Sequence, residues 1–340
     1  MKVIHGLDCP DSDTASAGGG SLTIGNFDGV HRGHREIIAR ARSAAGGATG
    51  AAAQTVVLTF EPHPLSVVAP AKAPPRLTPL PEKLDQLAAA GAEVAVVAKA
   101  NRDLLGLTPQ QFIERVVGRI QPRHIVEGAS FGFGRGRSGT IETLRQLGRE
   151  YGFEVVTVDT VRVEIDRETT VEVSSSIIRR LIAEGQTEQA ALCLGRPYAL
   201  MGKVVAGTGR GKRLGFPTAN MTVADQLIPA DGVYAGFAST PSRRLSPAVA
   251  AKRTVHVSSW PAAISIGTTP TFENSDSRHR PKERQIEAHL LDADTDLYGR
   301  EIRLEFGRWL RGQEKFASAA ALIDQIARDV EAVRRSAADS

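Results

Sequence analysis

Cysteine is nearly missing: two in 340 residues. Cys9 and Cys193 stand far apart, in no spacing that a metal site or redox motif uses, so a disulfide framework is excluded and a reducing, cytoplasmic location is expected. Long apolar runs are absent too, with nothing near the roughly 18 residues that cross a bilayer. The opening MKVIHGLDCP has no basic-then-apolar pattern and predicts no secretory signal. No repeat of useful length occurs. Charge is close to balanced, with 42 Lys+Arg against 38 Asp+Glu for a net +4. That mild surplus suits anionic small molecules and leaves nucleic acid open, since basic proteins often simply have solvated basic faces; self-association is a separate open question. What is present is length, enough for two domains.

The two halves differ in pattern. SLTIGNF, TVVLTF, EVAVVAKA, HIVEG and FEVVTVDTVRVE alternate with the helical stretches HREIIARARSAA, LPEKLDQLAAAG, TPQQFIERVVGRI and TIETLRQLGREYG. Strands interleaved with amphipathic helices predict a doubly wound parallel sheet, an α/β domain over 1–184. After the helical SSSIIRRLIAEGQTEQAALCLGRPY, the segments YALMGKVVAG, DGVYAGFAS, PAAISIG, RQIEAHLLD and EIRLEFGRWL are short and alternating. They predict an antiparallel barrel or sandwich over 185–340, closed by the helix KFASAAALIDQIARDVEAVRR.

Two concentrations of glycine and polar residues carry the chemistry. In TIGNFDGVHRGH (23–34) a Gly-rich turn follows a strand and opens a helix, which offers backbone N–H groups and a positive dipole end to a phosphate. Gly25, Gly29 and Gly33 permit close backbone approach. His31 and His34 stand three apart beside it, without a third ligand at metal spacing. GRGRSG (134–139), with Asp159 twenty residues on, has the outline of a dinucleotide fingerprint, but too many residues separate it from the preceding strand. The second concentration is VVAGTGRGKRLGFPTANM (204–221). Its spacing is one short of a P-loop, Arg213 stands where Ser or Thr should, and it lies among antiparallel strands, so a Walker reading fails. Gly207, Gly209, Gly211 and Gly215 still suggest a flap over phosphates with Lys212 and Arg213 as candidate cations, and Thr218 and Asn220 offer hard oxygen donors that suit Mg²⁺. In RQIEAHLLD, Ile286, Ala288 and Leu290 share one strand face, while Glu287, His289 and Leu291 share the other.

The motif order resembles one family. GNFDGVHRGH is similar to the HxGH nucleotidyltransferase signature in its long form, found in bacterial bifunctional riboflavin kinase/FAD synthetases. LTFEPHP, LTPQQFI, SFGFGRGRSG and VSSSIIRRLIAEG follow in that family's order. GFPTAN, DGVYAG, SIGTTPTF, IEAHLLD, DLYGREIRLEF and WLRGQEKF then resemble its kinase module. The resemblance implies an HxGH-type sheet domain followed by a six-stranded Greek-key barrel. It implies that riboflavin is phosphorylated by ATP to FMN in the barrel, and FMN adenylylated to FAD in the sheet domain, with Mg²⁺. It further implies ATP contacts from Gly25, Asn26, Phe27, Asp28, Gly29, Ser174, Ser175 and Arg179 in the first domain. In the second it implies them from Gly207, Gly209, Lys212, Gly215, Thr218 and Asn220, with Thr218 and Asn220 holding the metal. His63, Ser130 and Phe131 become flavin contacts, His31 and His34 adenylyl-transfer residues, and Glu287 the general base. Three departures stand out. Ser130 replaces the usual Asp or Asn, NRDLLG lacks an aromatic, and Ser265 replaces an Asn. The first two keep open a kinase with weakened adenylyltransferase activity, and the basic segments 132–137 and 243–253 keep open a nucleic-acid-binding regulator.

Overall fold

In the computed structural model, residues 1–7, 17–46, 53–207, 209–240, 258–268 and 284–338 are described. Cys9, the basic segment 243–253, the end of SIGTTPTF and the Lys212 side chain lie outside them. The chain forms two compact units, Met1–Ile177 and Ile178–Ser340.

The apolar runs of the first unit become β1 (Lys2–His5), β2 (Ser21–Ile24), β3 (Thr55–Glu61), β4 (Val94–Lys99), β5 (His124–Gly128) and β6 (Glu154–Val158). All pair in parallel, in the order β1-β4-β3-β2-β5-β6. Such strands read as unbroken apolar runs because helices cover both faces. Between them run α1 (Arg32–Gly46), α2 (Pro64–Val68), α3 (Leu80–Ala89), α4 (Arg102–Leu105), α5 (Pro109–Ile120) and α6 (Ile141–Tyr151). Leu22, Ile24, Leu58 and Ile125 pack on one face with Ile113, Val116 and Leu144 of α5 and α6. Val57, Ala95 and Val97 pack on the other with Ile38, Leu84 and Leu87 of α1 and α3. From β2 the chain adds β3 and β4 on one side, then crosses to add β5 and β6 on the other. The β2/β5 gap is therefore the switch point, where the carboxyl ends of the strands open a ligand crevice. The loop 25–31 leaves the sheet there.

Two details differ from expectation. Lys2–His5 forms an edge strand that its short length hid. FEVVTVDTVRVE is not one strand: after β6 the chain turns into a separate antiparallel hairpin, β7 (Arg162–Glu164) with β8 (Thr170–Glu172).

The helical stretch after Val173 is two helices, α7 (Ser175–Ala183) and α8 (Thr187–Leu194), broken at Gly185 with its φ of 79°. The second unit continues with β9 (Tyr198–Val205), the short α9 (Arg210–Arg213) and β10 (Ala219–Val223). It ends with β11 (Gly232–Ser239), β12 (Ser259–Thr268), β13 (Arg284–Leu290), β14 (Glu301–Arg311) and α10 (Ala319–Ala338). The six strands close a barrel in the order β10-β13-β12-β11-β14-β9, every pair antiparallel. β11, β12 and β13 form a meander whose last strand comes back to lie beside β10, which is the Greek-key arrangement. Of the six, β10 is the one the alternation pattern missed, because ANMTV reads as the tail of a Gly-rich loop. Leu200, Ile264, Ile266, Ala288, Leu304 and Phe306 fill the interior with no exposed surface. α10 is fixed to the barrel by Asp329, which pairs with Arg311 of β14 at 2.8 Å.

Candidate active sites

The loop from Gly25 to His31 is held in an unusual backbone shape. Phe27, Val30 and Gly29 have φ of 48°, 38° and 87°, a left-handed region that non-glycine residues adopt only when their surroundings enforce it. Here burial enforces it: Phe27 and Val30 sink into the core on the α1/α3 face. The Asp28 carboxylate turns inward and accepts the backbone N–H groups of Leu77 and Thr78 at 3.0 Å. Asp28 thus clamps its loop to the segment before α3. The Asn26 carbonyl accepts from the Thr59 hydroxyl at 3.2 Å and from Lys83 Nζ at 3.3 Å. Lys83 is itself buried, which lowers its pKa, while Glu61 and Asp28 oppose that shift.

At the end of this loop the two imidazoles stack, ring centroids 3.6 Å apart and nearly parallel. His31 immediately precedes α1 and His34 lies in its first turn. The His34 backbone N–H donates to His31 Nδ1 at 3.3 Å, which leaves the proton of a neutral His31 ring on Nε2. Gly33 makes this fold-back feasible, since a Cβ there would lie 3.3 Å from the His31 ring. His34 also meets the Phe27 edge at 5.0 Å.

Other expected residues divide between the loop and its supports. Ser175 Oγ donates to the Asp28 carbonyl at 2.8 Å, and Ser174 Oγ caps α7 by accepting the Ile177 N–H at 3.3 Å. One hydroxyl braces the loop and the other caps α7. Arg179 is half-buried on α7, beyond Ile177 and so within the second unit. His63 caps α2 through Nδ1, and its Nε2 meets the Asn26 amide at 3.2 Å. Ser130 is exposed after β5, and Phe131 stacks on buried Phe133 at 5.5 Å. The GRGRSG run forms a tight 3-10 turn well beyond the end of β5, with its Gly134 and Gly136 at positive φ. It is not the strand-to-helix turn of a dinucleotide fold.

In the second unit, register assembles the site. Asn220 of β10 stands opposite Glu287 of β13, and Glu287 stands opposite Ser265 of β12. Directly opposed residues share a face with Cβ atoms about 5 Å apart, so the three half-buried polar side chains form a row on the outer face of the barrel. Ile286, Ala288 and Leu290 point into the core, as the alternation predicts. Leu291 departs from it, because the strand has ended and the side chain packs near Val333 of α10. His289 Nδ1 lies 2.8 Å from the Pro217 carbonyl and so tethers the segment carrying Thr218. The Gly-rich loop folds directly onto this row. A Cβ on Gly207 would fall 2.1 Å from Asn220 Nδ2, and one on Gly211 would fall 3.0 Å from Thr218 Oγ1. Gly209 and Gly215 have φ of 68° and 87°.

Sequence reasoning passed over Gln313 and Glu127. Gln313 Nε2 donates to Ser265 Oγ at 3.0 Å and to the Ile266 carbonyl at 2.9 Å, a contact between residues far apart in sequence. Glu127, in the apolar run HIVEG, is a charged residue in a strand buried on both faces, and that anomaly was the available signal.

Family models described as FAD synthetase and riboflavin kinase match residues 13–176 and 194–337. The bifunctional riboflavin kinase/FMN adenylyltransferase of Escherichia coli K12 is 36% identical over 97% of this chain and 96% of its own. Its Bacillus subtilis counterpart is 34% identical over 92% and 91%. A solved structure from Streptococcus pneumoniae, described as a macrolide-efflux protein, superposes with a TM-score of 0.78 at 26% identity, covering 98% of this chain and 99% of that one. Among the described residues here, no helix is long and apolar enough to cross a membrane.

Proposed function

Because the chain belongs to the family of bifunctional riboflavin kinases/FMN adenylyltransferases, we propose that it makes FAD in two steps with a different chemistry in each unit. The barrel transfers the γ-phosphoryl group of ATP to riboflavin. The sheet unit, taken as residues 1–184 so as to include α7, then transfers an adenylyl group from a second ATP to FMN and releases pyrophosphate. The barrel module is residues 185–340.

The observation that carries the kinase reading is the cross-strand row of Asn220, Glu287 and Ser265. Riboflavin's hydroxyl is about as weakly acidic as water, pKa roughly 15.7, and it benefits from a carboxylate that takes its proton as the new P–O bond develops. Glu287 is that carboxylate. Asn220 and Thr218 supply an amide oxygen and a hydroxyl beside it, donors that fit a hard divalent cation, and the glycine loop packs on both. Mg²⁺ bound there with ATP would neutralise phosphate charge. Gly207, Gly209, Lys212 and Gly215 line the flap.

FMN needs no such base. Its phosphate, with a second pKa of about 6, is already an anion at neutral pH. The sheet unit therefore has to aim two anions and stabilise charge on the α-phosphate. The backbone of Gly25–Gly29, the His31 Nε2–H and His34 are the donors. Arg179, one turn beyond Ser175 along α7, is assigned to the departing pyrophosphate. Asp28, Ser174 and Ser175 are assigned to the ATP site, where Asp28 and Ser175 also brace the loop. His63, Ser130 and Phe131 are assigned to the flavin. The partners are small molecules, the reading needs neither nucleic acid nor membrane, and the cytoplasm is its compartment. Association of copies is compatible with it.

The test is direct. Protein incubated with riboflavin, ATP and Mg²⁺ yields both FMN and FAD on chromatography of the flavins. A flavin pool left unphosphorylated refutes the reading, and FMN without FAD refutes its second half.

A further inference from the structure

Glu127 has no role in the chemistry above, yet it sits at the switch point. β2 and β5 pair only through Ser21 with His124 and Leu22 with Ile125. Beyond that the ladder stops. In a parallel sheet the N–H of Ile24 points toward β5, as that of Gly25 points toward β3, where it donates to the Leu58 carbonyl at 3.0 Å. No backbone carbonyl of β5 takes the Ile24 N–H. The Glu127 side chain takes it instead, through Oε1 at 2.5 Å, and the same oxygen accepts from the Thr23 hydroxyl at 3.4 Å. A side chain has replaced the sheet's own hydrogen bond, so the two strands diverge with their last N–H still satisfied. Ile24 is the residue from which the Gly25–His31 loop departs.

We propose that Glu127 is a positioning residue for adenylyl transfer: by holding the Ile24 N–H across the opened β2/β5 gap, it sets the direction in which the nucleotide-binding loop leaves the sheet. This rests on the assignment of that loop to ATP. The carboxyl is 3% exposed, and burial drives its pKa well above the carboxylate range, against the opposing bonds from Ile24 and Thr23. With two donors converging on Oε1, what the position requires is an acceptor of this reach.

That requirement makes the inference testable in the full-length enzyme, with riboflavin phosphorylation by the barrel measured in every variant as an internal control. Glu127→Gln keeps the reach and an acceptor oxygen, and FAD synthesis from FMN stays within about threefold of wild type. Glu127→Met fills the same space without an acceptor, and kcat/KM for ATP in FAD synthesis falls by about tenfold, the weight of one hydrogen bond to the loop. Should the Met variant not fold in its first unit, Glu127→Asp, one methylene short, gives the same loss. Full FAD synthesis by the Met or Asp variant, or equal damage from Gln, overturns the proposal. Failure of the ATP assignment looks different: His34→Ala would then leave FAD synthesis intact as well.

Discussion

Adding one methyl group at Gly207 should disable the kinase step and spare the other. Its φ lies outside the left-handed region, so alanine is conformationally acceptable there and the effect comes from contact alone. The new Cβ would fall 2.1 Å from Asn220 Nδ2 and 2.5 Å from Asn220 Cγ, where non-bonded atoms need about 3.5 Å. Something must move by more than about 1 Å. The Asn220 backbone is paired on both sides, to Val205 of β9 and Glu287 of β13, so the strand stays and either the amide rotates or the loop lifts. Both take the amide out of register with Thr218 and Glu287. A misplacement of this size in a phosphoryl-transfer site costs about 10²-fold, near 2.7 kcal/mol in activation free energy. Steady-state kinetics with riboflavin and ATP should show kcat/KM for the Gly207→Ala variant reduced by that factor, with FAD synthesis from supplied FMN unchanged. In an Asn220→Ala background the same substitution should add little, because the clash has lost its partner. A Gly207→Ala enzyme with kinase kcat/KM within threefold of wild type would refute the contact and the flap built on it.

Replacing Glu287 by Gln removes the base while keeping the shape, and riboflavin phosphorylation should fall by about 10²–10⁴. FAD formation from supplied FMN should persist, and its loss in a folded variant contradicts two separate sites. His34→Ala should slow FAD synthesis by about 10²–10³ without touching the kinase; equal damage to both activities points to a fold defect instead. Asp28→Ala leaves the buried N–H groups of Leu77 and Thr78 without their acceptor, at about 1–3 kcal/mol each. For a unit of this size that lowers its unfolding temperature by at least about 4 °C, and a smaller shift shows that the clamp bears no load.

Much of this protein is written in periodicity and motif order. Parallel strands covered on both faces must be unbroken apolar runs, and barrel strands must alternate, so TVVLTF, EVAVVAKA and RQIEAHLLD declare their class locally. The burial of Ile286, Ala288 and Leu290 followed from their spacing alone. Both glycine-rich segments were legible because only glycine fits the turns and close approaches they make. Roles that depend on residues far apart in sequence were not. Nothing in GNFDGVHRGH says that Asp28 faces Leu77 and Thr78, or that Ser175 supports the loop from 147 positions away. β10 escaped because five residues after a glycine loop are too few for a period. Register, which depends on how six strands close, put Asn220, Glu287 and Ser265 in one row. The divergence of β2 from β5 gave Glu127 its place. A sequence fixes which faces are apolar, since burial is a property of each residue and its spacing; which polar groups meet is a property of pairs, and only the closed sheet and barrel decide it.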